Sequence, residues 1–242
     1  TEGGIYSKKE YQYKLIDPVT YKNFIDAIPQ NLNARVLPQL IQQDSYFYEG
    51  DSSVNLHTYS TFSYDNFGNI TEFIDHGNDN KADDIRAVID YVHNTDKNIL
   101  GLPVSIKVYG NGTLMRERRG EYELSTGELT KLKGYLENGQ NTFDEITYYP
   151  DGNLKSVTNT PNYKNQRYSV TVKYDSEVGT FPAEVSDSWG LKSISVYNYL
   201  YGAVSKSTDT NGQTMITEYD NFGRVKKVFS PYDLNSSNMP DA

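Results

Sequence analysis

From residue 57 onward, apolar and polar positions alternate with a period of two. Phe62 and Tyr64, Ile146 and Tyr148, Val170, Val172 and Tyr174, and Met215, Thr217 and Tyr219 each fall on one face of an extended segment. That is the pattern of a half-buried β-strand. The 3.6-residue period of a helix is weak throughout. The best helical candidate spans Tyr21 to Ala27, where Pro29 would end it. The alternation therefore predicts an all-β chain.

The strands are punctuated by a repeated turn. Tyr-Asp-Asn-Phe-Gly occurs twice, at Tyr64, Asp65 to Gly68 and at Tyr219, Asp220 to Gly223. Degenerate copies keep the Tyr and the Gly: Tyr148 to Gly152, Tyr174 and Asp175 to Gly179, Tyr197 to Gly202, Tyr122 to Gly127 and Tyr109 to Gly112. Two residues beyond each Gly the chain is apolar, at Ile70, Leu114, Leu129, Leu154, Phe181, Val204 and Val225. The physical reading is a β-hairpin. Tyr closes the incoming strand, Asp or Asn bonds its own backbone, and Gly supplies a positive φ. Further turns are read at Asp187-Ser188-Trp189-Gly190, at Asp209-Thr210-Asn211-Gly212 and, more loosely, at Asn159-Thr160-Pro161-Asn162. Tyr148, Tyr174, Tyr197 and Tyr219 are 26, 23 and 22 residues apart. One repeat is thus two strands with a turn at each end.

Composition refines this picture. The 242 residues include 22 Tyr and 18 Gly, and only 36% are hydrophobic. With a mean hydropathy of -0.69, this predicts half-solvated sheet faces in place of a deep aliphatic core. The net charge of -9 offers no basic stripe for displacing counterions from nucleic acid, so no nucleic-acid partner is expected. The absence of Cys excludes disulfides and thiolate chemistry. No apolar run reaches the length of a membrane span. The chain opens Thr-Glu-Gly-Gly, without an initiator Met or a signal peptide, and reads as an excised or processed fragment.

These motifs resemble the YD repeat of the Rhs family, which includes bacterial Rhs proteins and the B and C components of insecticidal toxin complexes. Tyr-Asp-Asn-Phe-Gly-Asn, Tyr-Asp-Asn-Phe-Gly-Arg, Tyr-Tyr-Pro-Asp-Gly-Asn and Asp-Thr-Asn-Gly-Gln-Thr carry the likeness, as do Leu100 to Pro103, Arg116 to Arg119 and Tyr174 to Pro182. The resemblance implies repeated antiparallel β-hairpins forming one long, strongly curved β-ribbon, the wall of a hollow shell. In the toxin relatives that shell encloses a toxic C-terminal segment. It also implies a secreted or cell-surface, non-enzymatic segment whose partner is the rest of its own larger polypeptide. The family's Asp-Pro-x-Gly self-cleavage motif is not recognisable, so no protease is carried over. The expected organisation is an irregular or β segment of divergent repeats over 1–56, the ribbon over 57–232 and a polar tail over 233–242. On the order of sixteen strands would span roughly 77 Å if flat, and the raw edges of such a ribbon invite edge-to-edge pairing.

Few residues suggest chemistry. Asp75, Asp79 and Asp83 lie in a loop whose alternating oxygen side chains could wrap Ca²⁺, although EF-hand spacing is missing. His57, His76 and His93 lack metal-ligand spacing and read as isolated strand or surface residues. No nucleophile elbow or favoured carboxylate pair appears. Trp189, Tyr199 and Tyr201 are candidates for stacking on sugar rings, which gives a second reading: a carbohydrate- or cell-envelope-binding module. Against it stands cross-strand aromatic pairing within the wall.

Overall fold

The computed structural model describes residues 4–23, 35–78, 83–136, 139–235, 237 and 239–240. It is an all-β chain of sixteen strands in one sheet, whose order follows the sequence from β1 to β16. That order has two ends, so the sheet is not closed into a barrel. The chain divides into two compact units, 1–141 and 142–242.

The first unit holds β1 (Ser7–Ile16), β2 (Leu37–Phe47), β3 (Leu56–Tyr64), β4 (Ile70–Asn78), β5 (Ile85–Asn94), β6 (Ile99–Gly110), β7 (Thr113–Glu123) and β8 (Glu128–Tyr135). The second holds β9 (Asn141–Tyr148, of which Asn141 belongs to the first unit), β10 (Leu154–Thr158), β11 (Ser169–Tyr174), β12 (Pro182–Asp187), β13 (Lys192–Asn198), β14 (Ala203–Thr208), β15 (Thr214–Tyr219) and β16 (Val225–Phe229). Consecutive strands within each unit pair antiparallel, as two-strand repeats joined by short turns require. The helix expected around Tyr21 falls mostly on residues outside those described. Tyr21 itself has a φ of 57°, which is not helical.

Neither unit has a deep core. Among the described residues Ile16, 5% exposed, is the one buried hydrophobic side chain, and most strand positions are half-buried. The reason is compositional. Only 36% of the residues are hydrophobic and 22 of them are Tyr, whose hydroxyl stays within reach of polar partners. The folded state therefore leans on backbone ladders and cross-strand pairs such as Phe62 against Phe73, with ring centroids 5.2 Å apart.

The registers share one irregularity. In each hairpin that joins an odd-numbered strand to the next even one, a Tyr at or near the end of the odd strand faces an apolar residue, and one residue beyond that partner is left unpaired. Tyr64 faces Ile70 while Ser63 faces Glu72, so Thr71 is extra. The same bulge leaves Ile41 unpaired opposite Tyr13, Val104 opposite Tyr91 and Thr130 opposite Tyr122. In the second unit the extra residues are Lys155, Ala183, Ser205 and Lys226, opposite Tyr148, Tyr174, Tyr197 and Tyr219. A bulge re-aims the strand and sharpens its twist.

Two sequence assignments change here. The residue facing Tyr174 is Pro182, not Phe181, because the Asp175 loop is one residue longer. Tyr109 to Gly112 is a two-residue turn, with Asn111 and Gly112 both at positive φ, and it joins an even strand to an odd one. Its register nevertheless carries the same bulge, since Tyr109 faces Leu114 while Val108 faces Arg116 and Met115 is left unpaired.

Candidate functional site

The most regular array of side chains in each unit is built on these bulges. The Tyr64 hydroxyl donates to the Leu40 carbonyl at 2.8 Å, and the Tyr91 hydroxyl to Ile70 at 2.9 Å. Tyr122 donates to Pro103 at 3.2 Å. In the second unit Tyr197 donates to Pro182 at 3.1 Å and Tyr219 to Val204 at 2.8 Å. The acceptors are the very residues that face the preceding Tyr: Leu40 faces Tyr13, Ile70 faces Tyr64, Pro103 faces Tyr91, Pro182 faces Tyr174 and Val204 faces Tyr197. Each acceptor carbonyl lies in the peptide bond leading into the unpaired residue. The bulge breaks the ladder there, and the next Tyr supplies a donor. The result is a chain of hydroxyl-to-backbone bonds running from hairpin to hairpin. Pro at two acceptor positions is consistent with this, because proline within sheets is tolerated at bulges.

The sequence singles out Tyr64, Tyr122, Tyr197 and Tyr219 as strand-closing residues, without their hydroxyl bonds, and passes over Tyr13 and Tyr91. Tyr91 escaped because no Gly follows at the expected offset. Asn98, at a φ of 54°, turns the chain in its place. Stepping forward from Tyr64 by one repeat would have reached it. Tyr148 faces Leu154, while the neighbouring Tyr149 donates to the Val172 carbonyl at 3.0 Å, on the strand after next.

The turns themselves are held by carboxylates. Asp65 Oδ1 accepts the backbone N–H groups of Phe67 and Asn69, and Asp220 Oδ1 those of Phe222 and Arg224. Asp187 and Asp209 do the same in turns that join even strands to odd ones. Both families of turn thus use one Asx geometry. The Arg224 side chain and backbone hold Asp220 below the usual carboxylate range. Asp175 is the extreme case. It is 9% exposed, and its two oxygens accept N–H groups from Glu177, Val178, Gly179, Thr180 and Phe181 at 2.7 to 3.2 Å. Desolvation pushes its pKa up, but the backbone donors of Val178, Phe181, Gly179 and Thr180 outweigh it and hold the carboxyl well below the ordinary aspartate range.

The repeat glycines do two jobs. Gly68, Gly152, Gly179, Gly202 and Gly223 all have positive φ. A Cβ on Gly223 would also lie 2.8 Å from the Tyr201 ring of the preceding hairpin.

The residues proposed for ligand binding do not converge. Trp189 is 76% exposed in the turn after β12 and packs on Tyr168 at 4.8 Å. Tyr199 and Tyr201 sit in the turn after β13, at the other end of that strand. Tyr199 lies 5.9 Å from Phe181, and Tyr201 lies 6.3 Å from Tyr219. A cleft of about 510 Å³ is lined by Tyr149, Pro150, Asp151, Lys173, Tyr174, Asp175 and Gly179, and by none of Trp189, Tyr199 and Tyr201. Of the acidic loop, Asp79 lies outside the described residues. Asp75 Oδ1 accepts the Gly77 N–H at 3.0 Å, and the Asp83 carboxylate abuts the same Gly77. No group of three metal-ligating side chains is assembled among the described residues.

The histidines are less isolated than their spacing suggests. Tyr46, His57, Tyr59 and His76 form a continuous stack with centroid steps of 4.5, 5.8 and 4.3 Å. His57 Nε2 is 3.0 Å from Asp44, a buried residue whose carboxylate also takes the Gln42 amide. His93 accepts the Gly101 N–H at Nδ1 and turns Nε2 toward Asp65 at 3.5 Å. Residues on neighbouring strands meet this way because β-pairing places them opposite, which spacing along one segment cannot show.

A sheet of hairpins laid down in sequence order, with turn-borne Tyr and Asp as its recurrent side chains, defines a β-hairpin repeat protein. Solved structures share that fold. The chain superimposes on the crystal structure of TcdB2-TccC3 with a TM-score of 0.66 and 10% identity, covering 92% of this chain and 16% of that one. For TcdB2-TccC3-TEV the values are 0.67, 11%, 98% and 16%. For the Photorhabdus luminescens Tc holotoxin pore carrying TccC3-D651A they are 0.59, 11%, 92% and 15%. The chain thus spans about one sixth of the length of these structures, and the likeness is one of fold. The YD-repeat resemblance read from the sequence agrees with it. No family model matches the chain, and no curated protein matches it. Among the described residues no helix is long and apolar enough to cross a membrane, which says nothing of membrane β-barrels.

Proposed function

We propose that this chain is a non-enzymatic structural segment of a secreted or cell-surface Rhs/YD-repeat protein, forming part of a shell wall that encapsulates a C-terminal toxin or effector. The observation that carries this reading is the match of 92% of the chain to TcdB2-TccC3 at a TM-score of 0.66. The hydroxyl chain supports it, because a repeat that fastens each hairpin to the one before suits a wall extended by addition. In this role the Tyr and Asp of the turns are structural, and the partner is the rest of the same polypeptide. The test is proteolysis of the full-length natural protein that contains this segment. Encapsulation predicts that its C-terminal region resists protease until the wall is opened by denaturant. Cleavage of that region at the same rate before and after opening would sink the proposal.

One observation favours a second reading, a carbohydrate- or envelope-binding module: Trp189 is exposed with the Tyr168 ring beside it. Aromatic faces of this kind stack on apolar sugar faces. Titration of the chain with a glycan panel and with isolated bacterial envelopes, with and without Ca²⁺, reads this directly through Trp189 fluorescence. Saturable quenching abolished by Trp189→Ala supports it, and a flat response refutes it. Calcium dependence would assign the loop of Asp75, Asp79 and Asp83.

A further inference from the structure

Strands β5 to β8, in the interior of the first unit, sort their charges by face. Asp90 pairs with Ser105, Ser105 with Arg119 and Arg119 with Lys133, while Lys107 pairs with Glu117 and Glu121 with Lys131. Paired and alternate residues share a face. All five carboxylates of these strands, Asp90, Glu117, Glu121, Glu123 and Glu128, therefore lie on one side. Ion pairs knit that side together, joining Arg86 to Glu72 of β4, Arg119 to Glu117 and Lys133 to Glu121. The reverse side carries half-buried Ile89, Ile106, Val108 and Leu132, no carboxylate, and two cations, Arg116 and Arg118. Arg116 faces Val108, and Arg118 faces Ile106 on one strand and Gly134 on the other. Both arginines are exposed, and neither has an ion pair or a side-chain hydrogen bond to any described residue.

We infer that this side of β5 to β8 docks an extended polypeptide segment that presents two carboxylates at alternate positions between apolar side chains. Charge complementarity carries the choice of partner. Two guanidiniums without a counter-ion lie on a face whose other side chains are apolar. There a carboxylate is worth more than it is in open water, because the local dielectric is lower. Arg also takes a carboxylate as a two-pronged pair, which fixes its orientation. The spacing agrees. Arg116 and Arg118 are alternate residues of one strand, about 7 Å apart, and alternate residues of an extended partner have the same separation. The apolar neighbours then receive the apolar side chains on either side of the two carboxylates. A phosphate polymer fits less well. It brings no apolar side chains, and the net charge of -9 repels a long polyanion before contact.

The test is fluorescence anisotropy of a fluorescein-labelled Val-Ser-Glu-Ser-Glu-Ser-Val peptide titrated with the 242-residue chain. The expected result is saturable binding that weakens as salt is added. Replacing both Glu of the peptide by Gln should weaken it about five- to tenfold, the loss of two exposed ion pairs. Combining Arg116→Gln with Arg118→Gln should cost the same, with circular dichroism unchanged. Lys107→Gln, on the opposite side of the sheet, should leave binding as it was. The combined Arg116→Glu and Arg118→Glu variant should instead take up the peptide in which Lys replaces Glu. A peptide that fails to saturate at millimolar chain overturns the inference. So does equal binding of the Gln peptide, or binding that survives loss of both arginines, since the contact would then lie elsewhere. Displacement of the peptide by a single-stranded oligonucleotide or by phosphatidylserine vesicles at lower concentration than by unlabelled peptide would show a face that reads phosphate, and overturns it too. None of these results bears on protection of a C-terminal cargo, which the proteolysis experiment reads separately.

Discussion

The side chain with the heaviest local duty is Asp175. Its five backbone donors are satisfied only by a carboxylate, so Asp175→Asn removes acceptor capacity and the charge that the N–H groups converge on. We expect the variant to loosen the 175–181 loop, seen as faster amide exchange at Val178 to Phe181. The pH dependence follows from the direction of the shift. The folded carboxyl ionises below its unfolded value, so its contribution is in full force above the ordinary aspartate range. It fades as the pH falls through the depressed value. The carboxyl carbon of Asp175 should therefore show no protonation shift by NMR under mildly acidic conditions that already titrate an exposed aspartate. A second residue-scale prediction concerns Gly101. It has a φ of 80°, and a Cβ there would lie 2.4 Å from the Asn69 side-chain oxygen in the turn of the preceding hairpin. Gly101→Ala should cost roughly 1 kcal/mol or more through the backbone conformation alone, measurable by urea unfolding. Asn69→Ala should relieve the steric part and leave the conformational part. Of these two residues the sequence announces only Asp175, through its Tyr-Asp signature. Gly101 lies in the Leu100 to Pro103 stretch that carries the family likeness, but its steric role is not legible there, because the atom it avoids comes from a turn some thirty positions earlier.

At the scale of the hairpin, alternation and turn residues made the strands legible, and the boundaries of the 219–223 turn could be read almost to the residue. The bulges could not. An unpaired residue such as Ser205 or Thr71 has no composition of its own, and its position appears only once two strands are in register. The consequence is testable. Deleting Ser205 would remove the unpaired residue and move every later position of β14 to the opposite face. We expect loss of cooperative unfolding in that variant, whereas Ser205→Ala, which gives up only a 3.2 Å bond to the Val196 carbonyl, should stay near wild type. Tyr219→Phe isolates the hydroxyl bond itself. A single neutral hydrogen bond contributes about 1 kcal/mol, and denaturant midpoints of Tyr219→Phe against wild type should differ by that order. The histidine stack was illegible for the same reason as the bulges: Tyr46, His57, Tyr59 and His76 come from three strands and touch only through pairing.

For the whole molecule, the count of strands and the absence of a deep core follow from the repeat and from the scarcity of aliphatic residues. Division into two units does not, since no composition shift marks residue 141. Strands of 8 to 12 residues fill the first unit and strands of 5 to 8 the second, so more ladder per hairpin stands in the first. Because each hairpin contacts chiefly its neighbours, stability should behave as a sum along each unit, as in other linear repeats. We therefore expect Tyr64→Phe to raise amide exchange in β2 to β4 and leave β11 to β16 unchanged.

The hydroxyl chain also has a sense of direction. With the exception of Tyr149, each of these phenols binds a carbonyl that lies earlier in the polypeptide, as Tyr91 binds Ile70 and Tyr219 binds Val204. During synthesis each of those earlier acceptors has therefore left the ribosome before its donor, and only the Tyr149 bond waits on a residue not yet made, Val172. The protein is arranged to be assembled as it is translated, each repeat latching onto a finished edge that would otherwise stay sticky. Ribosome-bound chains stalled after successive repeats should accordingly gain protease resistance one hairpin at a time, while the same chain diluted from denaturant must find every register at once.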